Sequence, residues 1–288
     1  MRLLSGLCPF SLRDIGRGAG VPMLEVEFAQ LSDPGPVRPR NEDYLGYVRP
    51  SSPEQVRSYG WLFTLADGVG GQRQGEVASR AAVEEVLGGF RRARAMESHG
   101  PLLTRLVQAA NARICETEAL AGSAGAGMAS TIVVCALRFD RATIAHVGDS
   151  RCYLIRNVQA RIVTNDHTIA NEQLHLGILS KAEAEAADTR HVLSRSLGSN
   201  LFVKVDVTEL QVQPGDVLLL CSDGLHGVLS SDEIACTVSR SGDLNAAAQE
   251  LVASANRQDG SDNVSLQLIA VRSVERTGMY RGRPYTLL

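Results

Sequence analysis

The pattern of apolar positions divides the chain into short β-strands and a few longer helices. Alternating or continuous apolar runs predict strands over residues 24–29, 44–48, 61–66, 131–139, 142–147, 152–156, 161–163, 201–210, 217–221 and 264–271. Apolar residues at helical spacing predict helices over residues 75–95, 102–120, 231–238 and 244–256. Many short strands with two consecutive helices between them favour an α+β fold, a central antiparallel β-sandwich flanked by α-helices on both faces.

The two ends of the chain depart from this pattern. Residues 1–22 lack a periodic apolar face and contain several Gly and Pro residues, so they are predicted to be a flexible extension. Met23 is interpreted as the practical start of the fold. Residues 273–288 are basic and are interpreted as a C-terminal tail. No linker divides residues 23–272, which are expected to form one domain.

A polar insert interrupts the strands at residues 165–200. It contains short helical stretches at 167–176 and 180–187, and Ser180 with Glu183 forms a capping-box pattern at the start of the second. Because the insert lies between strands and is polar, we interpret it as a flap over an edge of the sheet.

The bulk composition excludes several classes of protein. The chain has 288 residues, and its net charge of −3 gives no broad attraction to nucleic acid or to a membrane surface. The six cysteines are scattered without a Cys-x-x-Cys pair, which argues against a zinc ribbon and favours a reducing compartment. No apolar run reaches the roughly 18 residues that span a bilayer. The sequence therefore predicts a cytoplasmic protein without a nucleic-acid or membrane partner.

Acidic residues stand at one end of four of the apolar runs. They are Asp67, Asp149, Asp223 and Asp262. Taken singly, an Asp followed by Gly is equally explained as a turn. The repetition favours carboxylates that converge at one edge of a sheet, where an oxygen-only ligand set suits Mg²⁺ or Mn²⁺. A calcium-binding EF-hand over residues 259–263 is excluded because its twelve-residue spacing is absent.

Eight short motifs resemble, in their order, those of the metal-dependent serine/threonine protein phosphatases, the PPM or type-2C family, and specifically its bacterial branch. The motifs lie at residues 38–43, 66–71, 75–79, 127–131, 146–151, 166–168, 222–225 and 262–264. Each motif alone is a weak signal, but eight in the same order make coincidence implausible. The resemblance extends over residues 24–271.

The resemblance implies a β-sandwich with a dinuclear Mn²⁺ or Mg²⁺ site at one end. The residues that match the family's metal ligands are Asp67, Gly68 through its carbonyl group, Asp223 and Asp262. Asp67 matches the carboxylate that bridges both ions. Glu42 and Asp43 match positions in the coordination sphere or just behind it, and Asp149 matches a residue that binds a third ion in bacterial members.

The resemblance also implies a mechanism, with Arg38 and Asp67 as the candidate catalytic residues. Arg38 matches the residue that grips the substrate phosphate, a task that suits the planar guanidinium fork. A metal-bridging water would attack phosphorus in line, with no covalent enzyme intermediate. Val69 stands where some members carry a His as general acid, so the leaving-group proton must come from elsewhere. His226 is either a functional residue close to Asp223 or a hydrogen-bonded turn residue.

Two functions of different class follow from these observations. The first is a phosphoprotein phosphatase that hydrolyses phosphoserine and phosphothreonine and opposes a bacterial Ser/Thr kinase, with that kinase and its targets as partners. The second is a catalytically silent, phosphatase-like binding module. A silent module should have lost one of the acidic ligands, and this sequence retains them, so the enzyme is favoured.

His146, His167 and His175 are interpreted as structural.

Overall fold

A computed structural model describes residues 23–69, 74–120, 127–280 and 283–286. Its strands are β1 (Glu25–Asp33), β2 (Asp43–Val48), β3 (Trp61–Val69), β4 (Ala129–Ser130), β5 (Ile132–Arg138), β6 (Arg141–Val147), β7 (Arg151–Arg156), β8 (Gln159–Ile162), β9 (Asp206–Gln211), β10 (Val217–Cys221), β11 (Val264–Ser273), β12 (Thr277–Tyr280) and β13 (Arg283–Thr286). Its α-helices are α1 (Pro53–Ser58), α2 (Gln74–Arg91), α3 (His99–Leu120), α4 (Ile169–His175), α5 (Lys181–Ala186), α6 (Asp223–His226), α7 (Ser231–Arg240) and α8 (Leu244–Gln258). A 3₁₀ turn follows α5 at Asp188–His191.

Two antiparallel sheets face each other at the centre of the molecule. The first has the strand order β1-β11-β10-β7-β8, and the second has the order β2-β3-β5-β6-β9 with β4 beside β3. Apolar side chains from both sheets, including Phe28, Phe63 and Leu154, fill the space between them. Helices α2 and α3 cover the outer face of the second sheet, and α7 and α8 cover that of the first. The predicted helix-flanked sandwich is confirmed.

Strand β3 is buried on both faces, which explains its continuous apolar run. Phe63 and Leu65 point toward the first sheet, where the ring of Phe63 lies 5.2 Å from that of Phe28. Leu62 and Ala66 point the other way, into the core beneath α2 and α3. The strand is therefore fixed from both sides up to the residue before Asp67.

Sequence analysis missed two short α-helices, α1 and α6. Helix α1 lies between β2 and β3, where the apolar pattern predicts neither a strand nor a helix. It is only six residues long and buries one side chain, Val56, so it has no apolar stripe. Its local signals are the Ser52 side chain, which caps the first turn, and a Pro at its start.

Strand β9 and the C-terminal tail also differ from expectation. The strand predicted over residues 201–210 begins only at Asp206, because the preceding residues form a loop whose backbone is bound by side chains of α3. The tail at 273–288 contains a two-stranded hairpin, β12 and β13, whose four-residue strands are too short for a periodic signal.

The flap joins β8 of the first sheet to β9 of the second. Helices α4 and α5 lie within the two predicted helical stretches, and the capping box between Ser180 and Glu183 is present in both directions. Residues 1–22, predicted to be a flexible extension, lie outside the described residues. In the part of the chain that the structure describes, no helix combines the length and the apolar character needed to cross a membrane.

Candidate active site

Strand register brings the first two acidic residues together. In the β2–β3 pair, Asp43 lies directly opposite Asp67. The backbone of Asp67 is held by the next strand pair, because its N–H donates to the Thr131 hydroxyl at 3.0 Å and its carbonyl accepts from the Ser130 hydroxyl at 2.9 Å. The Thr131 hydroxyl in turn contacts that of Ser150 at 2.7 Å. The position of Asp67 is therefore set by the sheet.

The other three acidic residues come from the ends of neighbouring strands in the first sheet. Asp223 opens α6 immediately after β10. Asp262 lies just before β11, which pairs with β10, and Asp149 lies just before β7, which pairs with β10 on its other side. Asp43, Asp67, Asp149, Asp223 and Asp262 together are called the acidic cluster below.

Burial and mutual repulsion raise the pKa values of Asp43, Asp67, Asp149 and Asp262 in the acidic cluster. Burial, and then the neighbouring charges of the cluster, raises the pKa of Asp67 well above its usual range. Burial is also the main reason that the pKa of Asp43 is raised to about 7 and that of Asp149 to about 8. A hydrogen bond between the carboxyl groups of Asp67 and Asp223 contributes to the raised pKa of Asp67. These electrostatic couplings place the five carboxyl groups in one site.

Asp43 carries a further sign of an incomplete site. Its Oδ2 accepts a hydrogen bond from the Ser222 hydroxyl at 2.9 Å. Its Oδ1 is buried and has no hydrogen-bond partner among the described residues. A buried carboxylate oxygen normally has a partner, which a cation or a water held by a cation would provide. An oxygen-only donor set of this kind fits Mn²⁺ or Mg²⁺.

Close backbone contacts explain why a glycine follows Asp67 and another follows Asp223. A Cβ atom at Gly68 would lie 2.0 Å from the carbonyl oxygen of Gly75, so the start of α2 rests directly on the end of β3. A Cβ atom at Gly224 would lie 2.0 Å from the carbonyl oxygen of Asn263. Glycine at both positions lets the segments that carry the carboxylates approach one another.

Asn263 is a functional residue whose role sequence analysis missed, although it lies inside one of the motifs. Its side-chain oxygen accepts from the backbone N–H of Glu42 at 2.8 Å. Its amide group donates to the carbonyl oxygens of Pro34 and Arg40. Asn263 therefore holds the segment that precedes β2 against the loop that carries Asp262.

Burial raises the pKa of Glu42, and the negative charge of Asp262 raises it further.

Arg38 lies at the rim of the acidic cluster. Its Nη2 donates to Oδ2 of Asp262 at 2.9 Å, and its Nε donates to the carbonyl oxygen of Ser261 at 3.1 Å. About half of the Arg38 side chain, 47%, is exposed to solvent. The guanidinium is therefore beside one predicted metal ligand and within reach of a molecule arriving from solvent.

The ring of His226 forms a hydrogen bond within the protein and does not face the site with a free nitrogen at Nε2. Its Nε2 forms a hydrogen bond with the backbone carbonyl oxygen of Asp149 at 2.9 Å. Burial, together with the positive charge of Arg151, lowers the pKa of His226 to about 4. The ring is therefore neutral near pH 7 and holds the backbone of a cluster residue in place, which agrees with the hydrogen-bonded alternative.

A second group of titratable side chains lies where the flap begins and ends. His146, His167 and Asp206 bring one potential ligand atom each within 4.8 Å of one another. The ring nitrogens of His167 already have partners: Nδ1 accepts from the N–H of Gly148 at 3.0 Å, and Nε2 lies 2.9 Å from Nη1 of Arg195 and 3.2 Å from Oδ2 of Asp206. A metal ion at Nε2 would have to displace the guanidinium of Arg195, whose positive charge opposes a cation. The group therefore links Gly148 to the flap rather than forming a second metal site.

Comparison with known proteins agrees with this geometry. The family profile described as Protein phosphatase 2C matches residues 40–267. A serine/threonine phosphatase stp of Listeria welshimeri is 32% identical over 258 residues, which are 88% of this chain and 96% of the relative. The solved structure of Stp1 from Staphylococcus aureus has a TM-score of 0.78 at 28% identity and covers 90% of this chain and 100% of its own.

A neighbouring structure also contains metal. The catalytic domain of the serine/threonine protein phosphatase PstP in complex with 2 manganese ions has a TM-score of 0.74 at 27% identity, over 87% of this chain and 100% of that one. The family match covers well over half of the chain and every residue of the acidic cluster. The chain therefore belongs to the protein phosphatase 2C family.

Proposed function

We propose that this phosphatase hydrolyses phosphoserine and phosphothreonine esters of proteins at the acidic cluster. The observation that carries the proposal is the convergence of five carboxyl groups, in four of which, Asp43, Asp67, Asp149 and Asp262, burial and mutual repulsion raise the pKa. Such a group of like charges needs protons or bound cations to be stable. The metal dependence of the family supplies the cations, Mn²⁺ or Mg²⁺.

The residues of this chain would hold the ions as follows. Asp67 is the proposed bridging ligand, and the other proposed ligands are the Gly68 carbonyl, Asp223 and Asp262. Asp43 and Glu42 would complete the site directly or through water, and the Oδ1 of Asp43, which has no hydrogen-bond partner in the described part of the chain, supports that role. Asp149 is the proposed ligand of a third ion. When bound, such ions polarise phosphate oxygens and lower the pKa of the water that serves as nucleophile.

Arg38 is the proposed phosphate-binding residue. Its guanidinium is half exposed at the rim of the cluster, next to Asp262. A phosphate that enters from solvent can accept two parallel hydrogen bonds from it, which orients the phosphorus toward the acidic cluster. The charge that develops on the phosphate oxygens is then partly neutralised by a side chain that is never deprotonated.

The leaving oxygen must be protonated without a histidine beside Gly68. Val69 occupies that position and is 43% exposed. His226 is neutral and its Nε2 donates to the backbone of Asp149, so it has no proton to give at the site. We therefore propose that water donates the proton to the oxygen of the released serine or threonine.

The silent binding module is not favoured. Every acidic position that the family resemblance requires is filled, and the acidic cluster is assembled in one place. The relatives that cover nearly the whole chain carry the names of phosphatases.

The partner and the location are further parts of the proposal. A phosphatase of this family acts on phosphorylated proteins, and we propose that its targets include a bacterial Ser/Thr kinase and the substrates of that kinase. The reducing compartment inferred from the scattered cysteines supports a cytoplasmic location. Cell fractionation with an antibody against the chain would test the location directly.

Turnover of matched phosphopeptides tests the proposed function. Peptides of one sequence that carry phosphoserine, phosphothreonine or phosphotyrosine are compared with an aryl phosphate, in Mn²⁺, Mg²⁺, Ca²⁺ or EDTA. We expect activity on phosphoserine and phosphothreonine with Mn²⁺ or Mg²⁺ and none in EDTA. Full activity in EDTA would exclude the metal-dependent mechanism, and exclusive hydrolysis of phosphotyrosine would exclude the substrate class.

A further inference from the structure

The loop that leaves the flap, residues 198–204 and called the exit loop here, is held firmly from below by helix α3. Asn111, which is fully buried, accepts from the N–H of Gly198 at 2.8 Å and donates to the carbonyl oxygens of Asn200 and Leu201. Gln108 donates to the carbonyl oxygen of Val203. Side chains of one helix therefore fix the exit loop at both ends and in the middle.

The outer side of this fixed loop is apolar and exposed. Phe202 is 86% exposed and Leu201 is 77% exposed, while Val203 beside them is buried. Single exposed apolar residues are common on proteins and need no explanation. Here two adjacent large side chains face solvent on a backbone that is held in place, so docking a partner on them would cost little conformational entropy.

A cavity of about 280 Å³ opens beside Phe202 and has a polar lining. The residues that line it are Leu193, Ser194, Arg195, Ser196, Ser199, Asn200, Phe202, Val203 and Lys204. Arg195 is neutralised by an ion pair with Asp206 at 3.0 Å. Lys204 is exposed and has no ion-pair partner among the described residues. The cavity therefore combines hydroxyl groups, an aromatic wall and one uncompensated positive charge.

The strand pairing sets the distance from this cavity to the catalytic end. Gly68 pairs with Ser130, and Ser130 pairs in turn with Leu197, which directly precedes the exit loop. Two strand spacings of about 4.8 Å place the backbone of Leu197 about 10 Å from that of Gly68. An extended peptide advances about 3.3 Å per residue, so the cavity lies roughly three to six residues from a phosphoresidue at the acidic cluster.

We propose that the exit loop and its cavity form a secondary docking site for the phosphoprotein substrate. The site takes a segment about three to six residues from the phosphorylated residue, with an apolar side chain against Phe202 and a carboxylate or phosphate beside Lys204. The inference rests on the proposed phosphatase function, because it needs the phosphoresidue to sit at the acidic cluster. It adds a preference that the catalytic residues alone do not supply.

The lysine content of the chain gives a direct binding test, because Lys181 and Lys204 are its lysines. Reductive methylation with ¹³C labels these two side chains and the terminal amine, and it preserves their positive charge. We expect a peptide with an apolar residue and a glutamate, but without phosphate, to shift the NMR signal of Lys204. The signal of Lys181, which pairs with Glu185 on α5, should not move and serves as the control. An unmoved Lys204 signal at saturating peptide would overturn the proposal.

Kinetics supply the second test. Three phosphothreonine peptides carry glutamine, glutamate or a non-hydrolysable phosphonate analogue of phosphoserine four residues from the scissile phosphate, each beside a leucine, and are compared with an aryl phosphate. Phe202→Ala and Lys204→Gln should each lower kcat/KM about three- to tenfold for the anionic peptides and leave the aryl phosphate unchanged. Lys181→Gln is the matched control. The ranking of the glutamate and phosphonate peptides identifies the preferred anion.

The outcomes separate this proposal from the proposed function. Equal effects on all substrates, or none on any, would overturn the docking site while phosphatase activity stands. Loss of activity on every phosphate ester in the unmodified enzyme would instead overturn the function. If Phe202→Ala changes the oligomeric state in size-exclusion chromatography without changing peptide kinetics, the exit loop is a self-association surface and the proposal is wrong.

Discussion

The acidic cluster and the exit loop lie near each other but are built in opposite ways. The cluster takes its carboxylates from strand ends in both sheets, and the backbone around Asp67 is bound by neighbouring strands. The exit loop takes its backbone partners from helix α3, and its side chains Leu201 and Phe202 face solvent. Both regions have a fixed backbone, but the carboxyl groups of the cluster lie against one another, whereas the apolar side chains of Leu201 and Phe202 face solvent.

This difference separates chemistry from recognition. A substitution in the cluster changes groups that are buried against one another, so it should affect every substrate. A substitution on the exit loop changes side chains with few intramolecular contacts, so it should affect only substrates large enough to reach them. The predictions below test this division, from the largest expected effect to the smallest.

Removing the charge of a proposed metal ligand should give the largest effect. We expect Asp67→Asn and Asp223→Asn to lower kcat at least about 1,000-fold for aryl phosphate and phosphopeptide alike, because each removes a negative charge from the metal site. The variants should still fold, since the substitution relieves repulsion between carboxylates. Asp232→Asn, on the exposed start of α7, is the control. Near-normal turnover in either cluster variant would contradict the ligand assignment.

Arg38 should contribute less than the metal ligands. Arg38→Ala is expected to lower kcat/KM about 10- to 100-fold, with Mn²⁺ affinity from calorimetry little changed, because the lost contacts are to phosphate. Arg38→Lys should recover part of the loss, since a lysine keeps the charge but not the planar fork. Arg161→Ala, an exposed arginine on β8, is the control. Equal rates in all four proteins would show that Arg38 serves only as the surface ion-pair partner of Asp262.

The raised pKa values predict a pH-dependent stability in EDTA. Burial raises the pKa of Asp43 to about 7 and that of Asp149 to about 8. Between the ordinary carboxyl pKa and these values, the folded chain binds more protons than the unfolded chain. The free energy of unfolding should therefore fall as pH rises toward 8. Burial lowers the pKa of His99, His167 and His226, which has the opposite effect, but only below the ordinary histidine pKa of 6.5.

Thermal melts between pH 6.5 and 8.5 measure this effect. We expect the Tm in EDTA to fall by several degrees, since about 1 kcal/mol corresponds to about 2–4 °C in a protein of this size. Mn²⁺ should remove most of the fall, because the cation compensates the carboxylate charges. Asp149→Asn should reduce the fall in EDTA. A Tm that rises across this range in EDTA would show that the carboxyl groups are not protonated in the folded chain.

Removing residues 1–22 should have the smallest effect. Their sequence has no periodic apolar face that could add to the core. A chain that begins at Met23 is expected to keep its Tm within about 2 °C, less than the shift that 1 kcal/mol would cause, and to keep its turnover of both substrate types. A loss of turnover on phosphopeptides alone would assign these residues to substrate binding instead.

The sequence predicted the sandwich because its strands are buried on both faces or alternate cleanly. β10 was predicted with its observed bounds, Val217–Cys221, because all five residues are apolar and Gly215 precedes them. The roles of Asn263 and Ser222 could not be predicted, because their partners Glu42 and Asp43 are about 200 residues away in the chain. Helix α1 was missed since only Val56 marks its buried side.

The route of the chain through the flap has a topological consequence. Strands β10 and β11, which follow the flap, lie between β1 and β7, which precede it, and β9 closes the edge of the second sheet beside β6. The two halves of the chain are therefore interleaved rather than adjacent. A protease that nicks α5 would leave two fragments locked together through both sheets. Made separately, the fragments should complement each other only by folding together, because each half supplies strands that the other half needs to complete its sheets.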